Sequence, residues 1–151
     1  MDVMIRRGGA AEAGVAADLW LRARKSTGAC IPAPMHSDGE VRSWFAAHVV
    51  GSLELWLAES EEGELLGILV LDDDWVDQLY VDPSWTGCGV GARLLGTAKR
   101  ERPCGLRLWT FVSNRRAQRF YERNEFVEVE RTDGNNNEEG APDIQYAWSP
   151  R

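Results

Sequence analysis

Three apolar runs, at residues 53–59, 64–71 and 75–81, follow one another across turns of only four and three residues. Strands linked this closely cannot lie parallel to their neighbours, because a parallel pair needs a crossover long enough to return the chain to its starting end. The linkers Ser60-Glu61-Glu62-Gly63 and Asp72-Asp73-Asp74 are polar and carry the residues that favour reversals. The first half of any sheet here is therefore antiparallel.

Beyond residue 81 the pattern alternates between helix and strand. Val90, Leu94, Leu95 and Ala98 mark one face of a helix that Pro103 terminates. A strand over 106–112, a short helix over 114–124 and strands over 126–131 and 144–148 follow, with a polar loop at 133–140. At the other end, residues 3–7 read as a strand. Val15, Leu19, Trp20 and Ala23 give the apolar face of a helix running from residue 10 to about 24, ended by Gly28. After a loop at 28–36, the capping box Ser37-Asp38-Gly39-Glu40 opens a second helix reaching about residue 49. The order is β α α β β β α β α β β. It predicts an α/β (α+β) fold with a mixed central sheet of about six to seven strands and helices on both faces.

A chain of 151 residues and 16.9 kDa has room for one ordinary domain, spanning residues 1–151, and no repeat or linker divides it. An apolar fraction of 44% with seven Trp excludes disorder. The net charge of −7, with lysine only at positions 25 and 99, argues against a nucleic-acid partner, which needs a basic face. Cys30, Cys88 and Cys104 are odd in number and widely spaced, and His36 and His48 are the only histidines. This pattern suits neither a disulfide framework nor a zinc site, so no metal is expected, and a reducing cytoplasm is the expected setting. Neither a signal-like N-terminus nor an apolar run long enough for a membrane span is present, so no membrane partner is expected.

The strongest chemical signal is Leu79-Tyr80-Val81-Asp82-Pro83-Ser84-Trp85-Thr86-Gly87-Cys88-Gly89-Val90-Gly91-Ala92, a strand that turns through alternate glycines into a helix. Glycines allow a tight bend with no Cβ in the way, and the first amides of the helix point out of the turn unpaired. Together they form a cradle for a diphosphate, or else a plain strand-to-helix turn. A P-loop is excluded because no Lys follows the glycines until Lys99. A dinucleotide fingerprint is formally met by Gly87, Gly89 and Ala92. It fails on context, since an antiparallel hairpin precedes the turn and the next strand carries no acid.

In this stretch the sequence resembles the GNAT superfamily of acyl-CoA-dependent N-acetyltransferases. Val81, Pro83, Gly89, Gly91, Leu94 and Leu95 match the family's first block, and Asn114, Ala117, Phe120, Tyr121 and Phe126 match its second. The likeness covers residues 53–131 well and residues 1–50 by element order alone. Thr86 stands where the family usually has Gln or Arg, and Cys88 where a basic residue is common. Glu125 replaces the usual Gly before Phe126, leaving Asn124 as the expected left-handed residue.

The resemblance implies acetyl-CoA as acyl donor. Its pantetheine arm would lie on the strand end Leu79, Tyr80 and Val81, pairing with the backbone of Leu79 and Val81. Its diphosphate would sit on the amides of Gly87, Cys88, Gly89, Val90, Gly91 and Ala92. Asn114 would hold the arm, or serve as a helix N-cap, or both. Tyr121 would border the thioester and act as general acid toward the leaving thiolate. Asp77, inside the third strand, is the candidate base; otherwise it is a solvent-facing strand acid. Arg115, Arg116 and Arg119 either meet the nucleotide phosphates or form a solvated helix face.

For the acceptor, the resemblance points to Trp20, Met35, His36, Trp44 and Phe45, with the loop 135–139, Pro142, Asp143 and Tyr146. Aromatics beside carboxylates suit a small-molecule or peptide amine with positive charge. Proteins of this kind often form homodimers. The competing reading is a non-catalytic acyl-CoA sensor or interaction module on the same fold.

Overall fold

A computed structural model describes residues 2–28, 31–32 and 34–150. Seven strands form one sheet: β1 Val3–Arg7, β2 Glu54–Ser60, β3 Leu65–Asp72, β4 Trp75–Val81, β5 Leu106–Phe111, β6 Val127–Thr132 and β7 Asp143–Trp148. The spatial order is β1-β2-β3-β4-β5-β7-β6, antiparallel everywhere except between β4 and β5. The helices are α1 Ala13–Ser26, α2 Asp38–Trp44, α3 Val90–Glu101 and α4 Arg115–Arg123. The mixed sheet with helices on both faces is thus borne out, and most element boundaries fall within two or three residues of those expected.

The strand alternation separates two cores. Leu69, Leu71, Val76, Leu106, Leu108, Ile144 and Tyr146 turn to one face, where Val90, Leu94, Leu95 and Ala98 of α3 cover them. Leu55, Leu57, Ile68 and Val70 turn to the other, against α1 and α2. The latter pair covers β2 to β4 and leaves the same face of β5, β7 and β6 without a helix. Val15 does not belong to the core, being 52% exposed. The buried ridge of α1 runs instead through Ala13, Ala16, Ala17 and Trp20, whose alanines allow the helix to approach the sheet closely.

The capping box at α2 forms as expected. Glu40 N–H donates to Ser37 Oγ (3.1 Å) and Ser37 N–H to Glu40 Oε1 (3.0 Å). The helix then continues through a π-helical turn, Phe45–Val49, to Ser52, which carries Phe45 and Val49 into the core. Part of the 28–36 loop, including Cys30, lies outside the described residues. No helix is long and apolar enough to cross a membrane among the described residues.

Candidate active site

The sheet opens where its two halves meet. β4 and β5 pair at one position, Trp75 with Arg107, where Arg107 N–H donates to Asp74 O (2.9 Å). Beyond it the strands part, and the end of β5 is bonded elsewhere. Val112 N–H donates to Pro142 O (3.0 Å), and the Gln118 amide donates to Phe111 O (3.1 Å) and Val112 O (2.7 Å). On β4, Asp82 N–H donates to Leu66 O (2.8 Å) on the β3 side. Backbone alternation then turns the peptide groups of Val81 and Leu79 away from β3 and into the opening. Sequence reasoning missed Gln118, a polar residue on the strand-facing side of α4.

The glycine turn lies at the C-terminal end of β4. Asp82 organises the approach: its carboxylate accepts from Ser84 N–H (2.9 Å) and pairs with Arg22 (2.9 Å). Gly87 and Gly89 have φ of 79° and 86°, and Gly89 is the N-cap of α3. A Cβ built on either would meet nothing within 4 Å, so the outer side of the turn is open space. The residues from Gly87 to Ala92 thus sit at a helix N-terminus with open space beside Gly87 and Gly89, the setting in which backbone amides can meet an anion. Cys88 is exposed and reduced, as is Cys104.

α4 brings the second block to the same opening. Asn114 Oδ1 caps the helix by accepting from Ala117 N–H (3.2 Å), leaving its Nδ2 without a partner among the described residues. Arg115, Arg116 and Arg119 are exposed along this helix. At its far end the left-handed residue is Glu125 (φ 75°), not Asn124. Asn124 instead donates from Nδ2 to Phe120 O (2.8 Å), and its carbonyl accepts from Lys99 (2.6 Å), which holds it on the helix side of the bend.

Tyr121 is half-buried, packed edge-on against Phe120 and Phe126 at centroid distances of 5.2 and 5.7 Å. Its hydroxyl has no hydrogen-bond partner among the described residues. Burial pushes its pKa up, and the neighbouring Tyr80 phenol adds to the rise. Tyr80 meets Trp20 edge-on at 5.9 Å and accepts from Arg24 (3.4 Å). Burial raises the Tyr80 pKa too; Arg24 opposes the rise, and the charges of Glu139 and Asp77 add to it.

Asp77 points to the uncovered face. Crowding by the surrounding protein raises its carboxyl above the ordinary range, the Gln78 amide (3.3 Å) pulls it back, and the charge of Asp72 adds to the rise. Asp77, Asp72, Trp75, Val76 and Trp109 line a cavity of about 290 Å³. A larger one, about 470 Å³, runs from Trp109 and Phe111 across to Glu130 and Thr132, under Asn136, Asn137 and Glu139. Its loop is built tightly. Asn137 Nδ2 donates to Ala141 O (2.7 Å) and to Asp143 (3.1 Å), and Thr132 Oγ1 donates to Asp143.

The aromatic wall expected for an acceptor is differently composed. Trp20, Phe45 and Tyr146 are buried, and Tyr146 donates to Glu122 (2.8 Å) on the α3 side of the sheet. His36 reaches across to the loop instead, pairing with Glu138 at 2.6 Å. Trp109, Trp75 and Glu130, absent from the sequence-based reading, line the cavities in its place. The alternation Arg107-Trp109-Phe111 in β5 carried that signal. Among the described residues no cluster of His, Cys, Asp and Glu has a metal-holding arrangement.

The acetyltransferase (GNAT) domain model matches residues 51–128, a stretch that contains the splayed strands, the glycine turn and α4. The chain belongs to the GNAT acetyltransferase family. Its likeness to peptidyl-lysine N-acetyltransferase YjaB of Escherichia coli K12 is 30% identity over 127 residues, covering 82% of this chain and 81% of YjaB. The solution structure of apo YjaB superposes with a TM-score of 0.79 at 24% identity, over 100% of both chains. PaiA N-acetyltransferase from Thermoplasma acidophilum, solved with coenzyme A, gives 0.73 at 20% identity over 99% of this chain and 100% of that one. The N-acetyltransferase expected from the two sequence blocks is borne out at the level of family and enzyme class.

Proposed function

We propose that this GNAT chain, acting as one domain over residues 1–151, transfers an acetyl group from acetyl-CoA to a primary amine by direct attack. The acceptor is a cationic small molecule or peptide. The observation that carries this reading is the seam between β4 and β5, with free peptide groups on one side and an open glycine turn at its end.

The residues present fit the donor. The backbone of Leu79 and Val81, beside Tyr80, would hold the extended arm as an added strand, and the amides of Gly87, Cys88, Gly89, Val90, Gly91 and Ala92 would hold the diphosphate. Nδ2 of Asn114 is free to bind the arm while Oδ1 caps α4. Bound acetyl-CoA supplies the activated thioester. Tyr121, kept protonated by its surroundings, donates its hydroxyl proton to the departing sulfur. An alkyl ammonium has a pKa near ~10.4, so it must lose a proton before it attacks. Asp77, whose carboxyl is more basic than an exposed aspartate, accepts that proton from the amine, directly or through water. The acceptor would lie in the acid-lined cavities, and the peptidyl-lysine acceptor named for YjaB is of the same alkylammonium type. A cytoplasmic setting and a homodimer belong to the same reading, the latter checked by sedimentation.

The deciding experiment follows thiol release from acetyl-CoA against a panel of primary amines, with product masses recorded. Amine-dependent release and a mass gain of one acetyl group are expected. Saturable acetyl-CoA binding without release for any amine would overturn transfer in favour of a sensor.

A further inference from the structure

Trp109 lines both cavities on the uncovered face. Its indole is 42% exposed, yet it is held in place. It stacks on Trp75 at 6.3 Å with an interplanar angle of 6°, and the Arg107 guanidinium packs 4.4 Å from the Trp75 ring. Arg107 is in turn fixed by two bonds to Asp74, at 3.0 and 3.1 Å. The indole therefore stands as a rigid partition between a smaller chamber beside Asp77 and a larger one beneath the 133–140 loop.

Among the described residues, no Lys, Arg or His lines either chamber. In the larger one Asp143 is satisfied by Thr132 and Asn137. Glu130 and Glu139 have no hydrogen-bond or ion-pair partner among the described residues, and they share a cavity with Trp109. β5 and β6 are separated by one intervening strand, so Trp109 and Glu130 stand about 10 Å apart at the backbone.

We propose that Trp109 is a specificity-determining residue. It divides the acceptor site so that the preferred substrate is an aliphatic amine with a second cationic nitrogen, reacting beside Asp77 and anchoring in the Glu130/Glu139 chamber. This rests on the acetyl-transfer reading above. The methylene chain crosses the indole, which also favours a cation near its face. A monoamine of the same length fills the same space but leaves Glu130 and Glu139 uncompensated.

Hexylamine and hexamethylenediamine differ at the far end by a single amino group, which makes them the test pair. With the intact chain and acetyl-CoA, kcat/KM for the diamine is expected to exceed that for the monoamine by about tenfold or more, less so at high salt. Glu130→Gln combined with Glu139→Gln should bring the two amines together by raising the diamine KM more than the hexylamine KM. Trp109→Ala should also reduce the preference, and Trp109→Phe should restore part of it. Equilibrium binding of both amines without acetyl-CoA, by calorimetry, separates the two readings. Tighter diamine binding that the double variant loses, with no turnover of either amine, would remove acetyl transfer and keep the cavity preference. Equal binding of the two amines, or a preference that survives the double substitution, overturns the proposal.

Discussion

Tyr121 presents a hydroxyl with no acceptor among the described residues, in a pocket of aromatic rings that opposes its ionisation. Removing the hydroxyl alone therefore tests proton donation without disturbing packing. Tyr121→Phe is expected to lower kcat by roughly 10²–10⁴-fold, the usual worth of a positioned general acid, with acetyl-CoA affinity little changed. A rate within twofold of the parent would assign Tyr121 to packing. Asp77 makes a complementary prediction. Its raised pKa means that the fold disfavours the charged carboxylate, so this residue lowers stability as pH rises through its folded pKa. Asp77→Asn should raise the melting temperature at neutral pH while removing the acid limb of the kcat/KM profile. That limb should lie above the ordinary aspartate range in the parent. A variant that is both less stable and equally active would rule out the base role.

Two elements are tied together beside the larger cavity. The 133–140 loop is one of them, and its shape depends on Gly134, whose φ is 87° and whose added Cβ would lie 2.4 Å from the Ala141 backbone. An alanine there cannot be accommodated without moving the loop. Gly134→Ala should raise the acceptor KM and leave unchanged the binding of coenzyme A, proposed for β4 and α3; isothermal titration with coenzyme A checks the second half. The other element is the N-terminus of α2, where His36 pairs with Glu138 of the loop and with Glu40 of its own helix. The hydrogen bond to Glu138 raises the His36 pKa above its ordinary value, its charge adds to this, and Glu40 contributes less. The sign follows directly. The clasp is complete below the free histidine value, about 6.5, and is lost as pH rises through the higher folded value. A ring-proton titration by NMR should show that higher midpoint, and Glu138→Gln should bring it down.

Across the whole molecule, the sheet is two antiparallel halves, β1 to β4 and β5 to β7, joined at one parallel position and opened beyond it. Because the peptide groups of Leu79 and Val81 face the opening, their amides should exchange quickly with solvent in the free chain. Coenzyme A should protect both; unchanged exchange at saturating ligand would place the arm elsewhere. The net charge of −7 fits the proposed arrangement, in which backbone amides would hold the anionic donor and carboxylates line the cavities. Much of this was legible in the sequence. Short turns at 60–63 and 72–74 dictate the antiparallel first half, the capping box starts α2, and the glycines after Val81 mark the turn into α3, all through interactions within a few residues. Val15 misled because helical spacing identifies a stripe but not which edge of it the sheet covers. At the opening between β4 and β5 the Phe111 carbonyl is taken by Gln118 and not by β4, and the cavity depends on Trp109, Glu130 and Glu139 meeting from separate strands and a loop. The sequence by itself therefore determined the elements, their order and the family. Only the tertiary structure decided where the sheet opens and which side chains line the cavities, because those outcomes rest on contacts between residues that no local pattern joins.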